Sequence, residues 1–258
     1  MSEYSLPHVS NDLTGRAALI TGCTSGLGKR FAQVIAASGA KVAITGRRVE
    51  RLEALADEIR SAGGTAVPIA LDMRDSDSII ACVETAEAAL GTIDILVNNA
   101  GIPDAQRAHK MSLELTNDVF DTNLRGPYIL SCEIARRLIA AEMPGRMVNI
   151  SSVGGFHYAG NGAALYSITK AGIVRMTECL AVEWARFNIN VNAIAPGAFS
   201  SEMMDGMVER MGDFSQHFPR GRICDPAEMD STLLYFLSPA SSAVTGTYIK
   251  IDDGQGSR

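Results

Sequence analysis

The stretch that decides the fold is Ala17-Ala-Leu-Ile-Thr21-Gly22-Cys-Thr-Ser-Gly26-Leu-Gly28. Its first, mostly apolar residues predict a buried strand, and a helix is predicted over about 26–38. A glycine-rich turn between a strand and a helix can bring backbone N–H groups against a phosphate. The spacing G-x-x-x-G-x-G differs from the common G-x-G-x-x-G fingerprint. The strand before it and the helix after it nevertheless predict a dinucleotide-binding turn.

Outward from this turn, short apolar runs alternate with longer helical patterns. The predicted strands are 17–21, 41–45, 66–71, 93–97, 146–151, 189–194 and 247–251. The predicted helices are 26–38, 49–61, 76–90, 112–142, 165–187 and 226–237. The strands are apolar throughout, as expected when helices cover both faces of a sheet. We therefore predict one α/β domain over 13–258, built on a doubly wound parallel sheet of about seven strands.

Two segments fall outside that alternation. Residues 1–12 are polar and are predicted to form a loose leader rather than a signal peptide. The connection over about 196–226 is too long for an ordinary loop, so we predict an irregular functional lid there.

The composition excludes several classes of function. The 258 residues carry a net charge of −6, which gives no indication of binding to nucleic acid or to an anionic membrane. The five cysteines are scattered and form no C-x-x-C pair, so we predict reduced thiols in the cytoplasm and no metal site. No apolar run approaches the ~18 residues that span a bilayer.

The end of the second strand indicates which dinucleotide is bound. An acidic residue there would accept hydrogen bonds from the ribose of NAD, but the sequence has Gly46-Arg47-Arg48. A guanidinium can bind the 2′-phosphate of NADP with two hydrogen bonds. We therefore predict NADP(H), with NAD(H) as the alternative if the arginines only form a solvated helical turn. Asp72, after the third strand, is predicted to meet the adenine amino group or to cap a helix.

Tyr166 and Lys170 carry the predicted chemistry. Residues four apart share one face of a helix, and a cation beside a phenol favours its ionised form. Ser152, at the end of a strand, can hold a carbonyl or hydroxyl group against that phenol. Tyrosine–lysine pairs at this spacing also occur on solvated helices, so the pair alone does not establish a catalytic role.

Six motifs in order resemble the short-chain dehydrogenase/reductase family, in particular members like 3-oxoacyl-[acyl-carrier-protein] reductase. They are Thr21–Gly28, Asn98-Asn-Ala-Gly101, Asn123, Ser152, Tyr166-x-x-x-Lys170 and Pro196-Gly197. The resemblance covers 13–254. It implies a Rossmann-type domain, usually in a homotetramer, that transfers hydride between a nicotinamide cofactor and a carbonyl or alcohol.

The resemblance also implies roles for individual residues. Tyr166 would be the acid/base and Ser152 would orient the substrate oxygen. Lys170 would lower the tyrosine pKa and hold the nicotinamide ribose, and Asn123 would support a water. Because Pro127 has no N–H, it leaves the Asn123 carbonyl without its helical bond. The implied cofactor-binding residues are Gly22, Thr24, Ser25, Gly26, Leu27, Gly28, Arg47, Arg48, Asp72, Met73, Asn99, Ala100, Gly101, Tyr166, Lys170, Pro196, Gly197, Phe199 and Ser201.

The substrate is predicted less sharply. Gly154, Phe156, His157, Met203 and Met207 are predicted to line its pocket, and methionines suit an adaptable apolar surface. The alternative is that an amphipathic helix folds these methionines onto the core. We predict a small carbonyl or alcohol substrate, with a 3-oxoacyl thioester as the alternative. A non-catalytic, cofactor-sensing protein is the rival of another class.

Overall fold

Seven parallel strands form one sheet in the order β3-β2-β1-β4-β5-β6-β7. The structure, a computed structural model, describes residues 6–158, 160 and 162–256. The strands are β1 (Ala17–Thr21), β2 (Lys41–Gly46), β3 (Thr65–Ala70), β4 (Ile95–Asn98), β5 (Gly145–Ile150), β6 (Ile189–Pro196) and β7 (Tyr248–Ile251). The chain winds outward from β1 in both directions, which confirms the predicted doubly wound sheet. The order reverses between β1 and β4, where sheets of this kind bind ligands at their carboxyl ends.

Eight α-helices accompany this sheet in the described part of the chain. They are α1 (Gly26–Ala37), α2 (Val49–Ser61), α3 (Ser76–Leu90), α4 (Leu113–Phe120), α5 (Gly126–Ala140), α6 (Ala164–Trp184), α7 (Glu202–Met211) and α8 (Asp230–Leu237). Successive strand residues point to opposite faces, so Ile20 joins one apolar core with α1, α2 and α8, and Leu19 joins the other with α3, α5 and α6. None of the described helices is both long and apolar enough to cross a bilayer.

The predicted helix over 112–142 is interrupted. It consists of α4, a π-helical turn over Asp121–Arg125, and α5. Pro127 has no N–H to donate, and the N–H of Gly126 bonds to the carbonyl of Asp121, five residues back. A side chain at Gly126 would lie 2.3 Å from the carbonyl oxygen of Met73, so this turn is packed tightly against the chain after β3.

The predicted irregular lid contains helix α7. The hydroxyl of Ser201 accepts a hydrogen bond from the N–H of Met204 at 3.2 Å and caps the start of this helix. The prediction of an irregular segment was wrong at this point, because a capped helix accounts for ten residues of the insert.

Of the predicted leader, residues 1–5 lie outside the described residues. Residues 6–12 have no helix or strand and are mostly exposed. Ser10 is bonded to the rest of the domain, because its carbonyl accepts a hydrogen bond from the hydroxyl of Ser238 at 2.6 Å. The buried core begins at Leu13, which is 1% exposed.

Candidate active site

The glycine-rich turn after β1 is locked to the loop after β4. The side-chain amide of Asn99 donates to the carbonyls of Thr21 and Gly22 at 2.9 and 3.2 Å. A Cβ at Gly28 would lie 2.2 Å from the carbonyl oxygen of Gly22, and one at Gly22, whose φ is +71°, would lie 2.9 Å from Ala100. Side chains are therefore excluded at both glycines, because the turn packs directly against the loop after β4 and against itself at the start of α1.

A cleft of about 990 Å³ runs along the carboxyl ends of the strands. Every residue predicted to bind the cofactor lines it, from the glycine-rich turn through Arg47, Asp72 and Gly101 to Ser201. At one end lie Ser152, Tyr166 and Lys170, which we call the tyrosine end. At the other end lie Arg47 and Arg48, with Arg51 close by; we call this the arginine end. The sheet topology thus brings together residues more than a hundred positions apart.

At the tyrosine end, burial dominates the electrostatics. Lys170 is 4% exposed, its ammonium donates to the carbonyl of Ile150 at 2.8 Å, and it lies 5.6 Å from the centre of the Tyr166 ring. Burial lowers the pKa of Lys170 to about 8. Burial raises the pKa of Tyr166, and the hydrogen bond with Ser152 only partly offsets it. Desolvation of the phenolate is the largest cause of this shift. The lowering of the tyrosine pKa by Lys170 stays a prediction.

Asn123 acts on the cleft without lining it. Its side chain is 1% exposed and bonds twice to the backbone of Ile102, accepting from the N–H at 2.8 Å and donating to the carbonyl at 2.9 Å. These bonds fix the loop that follows Gly101. A Cβ built at Gly101 would lie 3.4 Å from the Lys170 ammonium, so this loop begins close to the lysine. Asn123 therefore positions the wall of the cleft beside the lysine.

Asp104 is a buried carboxylate of the cleft that the sequence did not indicate. Its carboxylate is 3% exposed and accepts hydrogen bonds from the N–H groups of Leu165 and Tyr166, at 2.9 and 3.1 Å. It thereby caps the first turn of α6, and its charge contributes to the raised pKa of Tyr166. The capped amides lie about sixty positions along the chain, so no local motif could have revealed the role.

The substrate side of the cleft matches four of the five predicted residues. Gly154, His157, Met203 and Met207 line it. The two methionines are half-buried on α7 and face the cleft, so the alternative in which they fold onto the core does not hold.

The prediction for Phe156 was wrong. Its ring packs against Tyr248 at 4.8 Å between centres and lies 4.5 Å from the Lys250 ammonium. Gly155 explains this orientation: a Cβ there would lie 2.9 Å from the backbone of Ala171, so the turn sits directly on α6 and directs the next side chain towards β7.

Asp72 lines the cleft, but its carboxylate is also held by Arg74, which donates from Nη2 at 2.7 Å. That hydrogen bond lowers the pKa of Asp72. The alternative that Asp72 caps a helix was wrong, because Asp75 caps α3 by accepting from the N–H of Asp77 at 3.0 Å.

Comparison with known proteins identifies the family. Residues 16–212 match the family model described as short chain dehydrogenase. The 3-oxoacyl-[acyl-carrier-protein] reductase FabG of Aquifex aeolicus is 37% identical over 245 residues, covering 94% of this chain and 98% of the relative. The chain belongs to the short-chain dehydrogenase/reductase family. This confirms the resemblance inferred from the six motifs.

Solved short-chain dehydrogenase/reductase structures superpose closely on this one. A member from Mycobacterium marinum gives a TM-score of 0.91 with 34% identity, over 95% of this chain and 97% of the other. A variant of actinorhodin polyketide ketoreductase, solved with NADPH, gives a TM-score of 0.90 with 32% identity, over 94% of this chain and 98% of the other. The protein is therefore an oxidoreductase enzyme of a family that binds a nicotinamide cofactor.

Proposed function

We propose that this enzyme transfers hydride between NADP(H) and a carbonyl or secondary alcohol, with Tyr166 as the acid/base. The observation that carries the proposal is the tyrosine end itself. There a partly buried phenol is hydrogen-bonded to Ser152 and stands beside a buried lysine, at the end of a cleft that begins at a phosphate-binding turn. NADPH bound to a related ketoreductase supports the choice of cofactor.

The residues of the cleft fit a dinucleotide. The glycine-rich turn lines the cleft at the start of α1, where a pyrophosphate would bind, and Arg47 and Arg48 lie where an adenosine 2′-phosphate would be held. Pro196, Gly197 and Ser201 would face the nicotinamide end. When bound, the cofactor supplies or accepts the hydride.

The side chains at the tyrosine end would handle the proton. In the reductive direction, the Tyr166 hydroxyl donates a proton to the substrate oxygen, which Ser152 holds by a hydrogen bond. The raised pKa of Tyr166 keeps the phenol protonated at neutral pH, which suits a proton donor. The Lys170 ammonium would hold the nicotinamide ribose and restore the proton, a step that its pKa of about 8 permits.

The test is Tyr166→Phe. We expect turnover with a panel of ketones to fall by about 10²–10⁴-fold, because the proton donor is lost while the cleft keeps its shape. NADPH binding, measured by fluorescence titration, should stay within about twofold of the wild-type value. Tyr235→Phe, at an exposed position on α8, is the matched control and should leave both unchanged. Full activity of Tyr166→Phe on every ketone would refute the assignment.

A 3-oxoacyl thioester is the second candidate substrate. It is favoured by the 37% identity to a 3-oxoacyl-[acyl-carrier-protein] reductase over nearly the whole chain. Including such a thioester in the ketone panel separates it from a small ketone or alcohol. The rival proposal of a non-catalytic sensor is disfavoured, because Asn123, Ser152, Tyr166 and Lys170 are all retained.

We also propose a homotetramer in the cytoplasm. Apolar side chains are exposed on α5 and α6, namely Tyr128 at 50%, Ile168 at 58% and Val182 at 80%. Faces of this kind mark protein–protein contacts. All five cysteines are free thiols, which agrees with a reducing compartment. Light scattering at several protein concentrations would measure the assembly.

A further inference from the structure

A carboxylate on α7 holds the arginine end of the cleft. Glu202 accepts from Nη1 and Nη2 of Arg48 at 3.2 and 2.8 Å, so the contact is a two-bond fork, and it also accepts from Arg51. The two guanidiniums come from the start of α2, and the carboxylate comes from the first residue of α7. This contact therefore links Arg48, one of the two arginines proposed to bind the phosphate, to the insert that lines the cleft.

The position of Glu202 is built into the fold. Ser201 caps α7, and its Cβ lies 2.9 Å from where a Cβ at Gly26 would stand, so the start of the helix rests on the glycine-rich turn. On the other side, Nη2 of Arg48 also donates to the hydroxyl of Thr24 at 2.5 Å. Both partners are thus oriented by the turn that would bind the pyrophosphate.

Opposite charges favour the contact between Glu202 and the two arginines, and its exposure to solvent allows another anion to replace the carboxylate. The hydrogen bond from Arg48, followed by that from Arg51, lowers the pKa of Glu202 to about 2, so the carboxylate is ionised at neutral pH. The three side chains remain 42–51% exposed, and exposed ion pairs contribute little because water and salt screen them. A phosphate monoester carries about −1.5 to −2 charges and three strong acceptor oxygens, so it can replace the carboxylate.

We propose that Glu202 sets cofactor specificity by competing with the 2′-phosphate of NADP(H) for Arg48 and Arg51. The inference rests on the proposed function and deepens it. A dinucleotide with a 2′-phosphate must displace Glu202 from these guanidiniums, whereas one with a free 2′-hydroxyl leaves the contact in place. Glu202 therefore reduces the preference for NADP(H) that the arginines alone would give. Arg47, whose side chain lines the cleft without any ion pair among the described residues, would make the first phosphate contact.

The experiment compares two nucleotides that differ only in that phosphate. Calorimetric titration of the full-length protein with 2′,5′-ADP and with 5′-AMP measures binding without turnover. Glu202→Gln removes the charge and keeps the shape of the side chain. We expect its Kd for 2′,5′-ADP to fall about fivefold, as the loss of an exposed competing ion pair implies, while its Kd for 5′-AMP stays within about twofold.

Control variants distinguish competition between Glu202 and the 2′-phosphate from a loss of structure in α7. Glu209→Gln removes an exposed carboxylate from the far part of α7 and should change neither Kd. Glu202→Asp keeps the charge and should bind 2′,5′-ADP more weakly than Glu202→Gln does. An unchanged Kd for 2′,5′-ADP in Glu202→Gln overturns the proposal, and so do equal shifts for both nucleotides, which would indicate a structural role.

The cofactor assignment is tested separately by the wild-type protein. A wild-type preference for 5′-AMP over 2′,5′-ADP would contradict the NADP(H) assignment. Glu202→Gln would still be informative in that case. A selective gain for 2′,5′-ADP supports the competition, and no gain refutes it.

Discussion

The two ends of the cleft hold their charged groups in opposite ways. At the tyrosine end, Asp104 and Lys170 are 3% and 4% exposed, and both bond to backbone groups. At the arginine end, Glu202 and Arg48 are more than 40% exposed and bond mainly to side chains. Backbone partners inside a core cannot move away, whereas exposed side chains can exchange partners. The difference indicates that the groups proposed to react are fixed by the fold, whereas the groups proposed to select the cofactor can exchange partners.

The largest effect is expected from Lys170→Met. This change keeps the length of a buried side chain but removes its only charge, so proton supply to Tyr166 should stop. We expect kcat to fall by about 10²–10⁴-fold. Steady-state kinetics with NADPH and the ketone panel measure the loss. Lys29→Met, at a lysine of α1 whose side chain is 41% exposed, is the matched control and should retain activity. If Lys170→Met were fully active, the tyrosine end would not be the reacting end.

The second effect concerns the arginine end. Arg47→Asp places a carboxylate where the 2′-phosphate is proposed to lie and should move the ratio of kcat/KM for NADPH to that for NADH by about 10–100-fold towards NADH. This is the size expected when a charge-assisted hydrogen bond is lost and a repulsion is added. The reaction itself should be preserved with NADH, because the tyrosine end is untouched.

The control for this change is Lys41→Asp, at the opposite end of the same strand β2. It makes the same change in net charge away from the cleft, so the ratio of the two kcat/KM values should stay at the wild-type level. An unchanged ratio in Arg47→Asp itself would remove the basis of the NADP(H) assignment.

The third effect is on stability and comes from the buried amine. The pKa of Lys170 falls from 10.5 to about 8 on folding. Between these two values the unfolded chain binds more protons than the native protein, so this lysine makes the free energy of unfolding rise with pH in that window. The expected rise is on the order of 1–3 kcal/mol.

Other groups also titrate at high pH, so the quantity to measure is the difference in the free energy of unfolding between the wild type and Lys170→Met. Burial raises the pKa of Cys23 and Cys82 to about 12, which makes stability fall above pH 9. These thiols are common to the wild type and Lys170→Met and cancel in the difference between their urea unfolding curves. A difference that is flat from pH 8 to 10.5 would show that the amine is not desolvated.

Local patterns predicted much of the fold. The bounds of α2 agree with the prediction, because Leu52, Leu55, Ala56 and Ile59 form one apolar stripe that ends before Gly63. The interruption between α4 and α5 was missed, because the packing of Gly126 against Met73 cannot be inferred from helical periodicity.

The site was predicted where its signal is local. Tyr166 and Lys170 are one helical turn apart, and Ser152 closes a strand. Glu202 was missed because its partner Arg48 lies 154 positions away. Phe156 was misplaced because closeness in sequence to Ser152 does not determine the direction of a side chain after a tight turn. Sequence therefore indicated the residues that are proposed to react and missed two carboxylates that bond to the groups around them.

The smallest effect is expected at one of those carboxylates, in Asp104→Asn. The amide can still accept one hydrogen bond from the start of α6, so the protein should fold and lose about 1 kcal/mol of stability, as caps typically contribute. Burial is the main cause of the raised pKa of Tyr166 and the charge of Asp104 adds to it, so removing that charge should move the pKa down. In the oxidative direction, where the phenolate acts as the base, the acid limb of the pH–rate profile should shift to lower pH.

Asp75→Asn is the control that distinguishes a cap from a positioning residue. Asp75 caps α3 with the same chemistry but lies at an exposed site away from Tyr166. It should lose comparable stability while its pH–rate profile coincides with that of the wild type. If Asp104→Asn also lost only stability, Asp104 would merely cap the helix. A shifted limb would instead show that a buried carboxylate, fixed by backbone amides, adjusts the acidity of the reacting phenol.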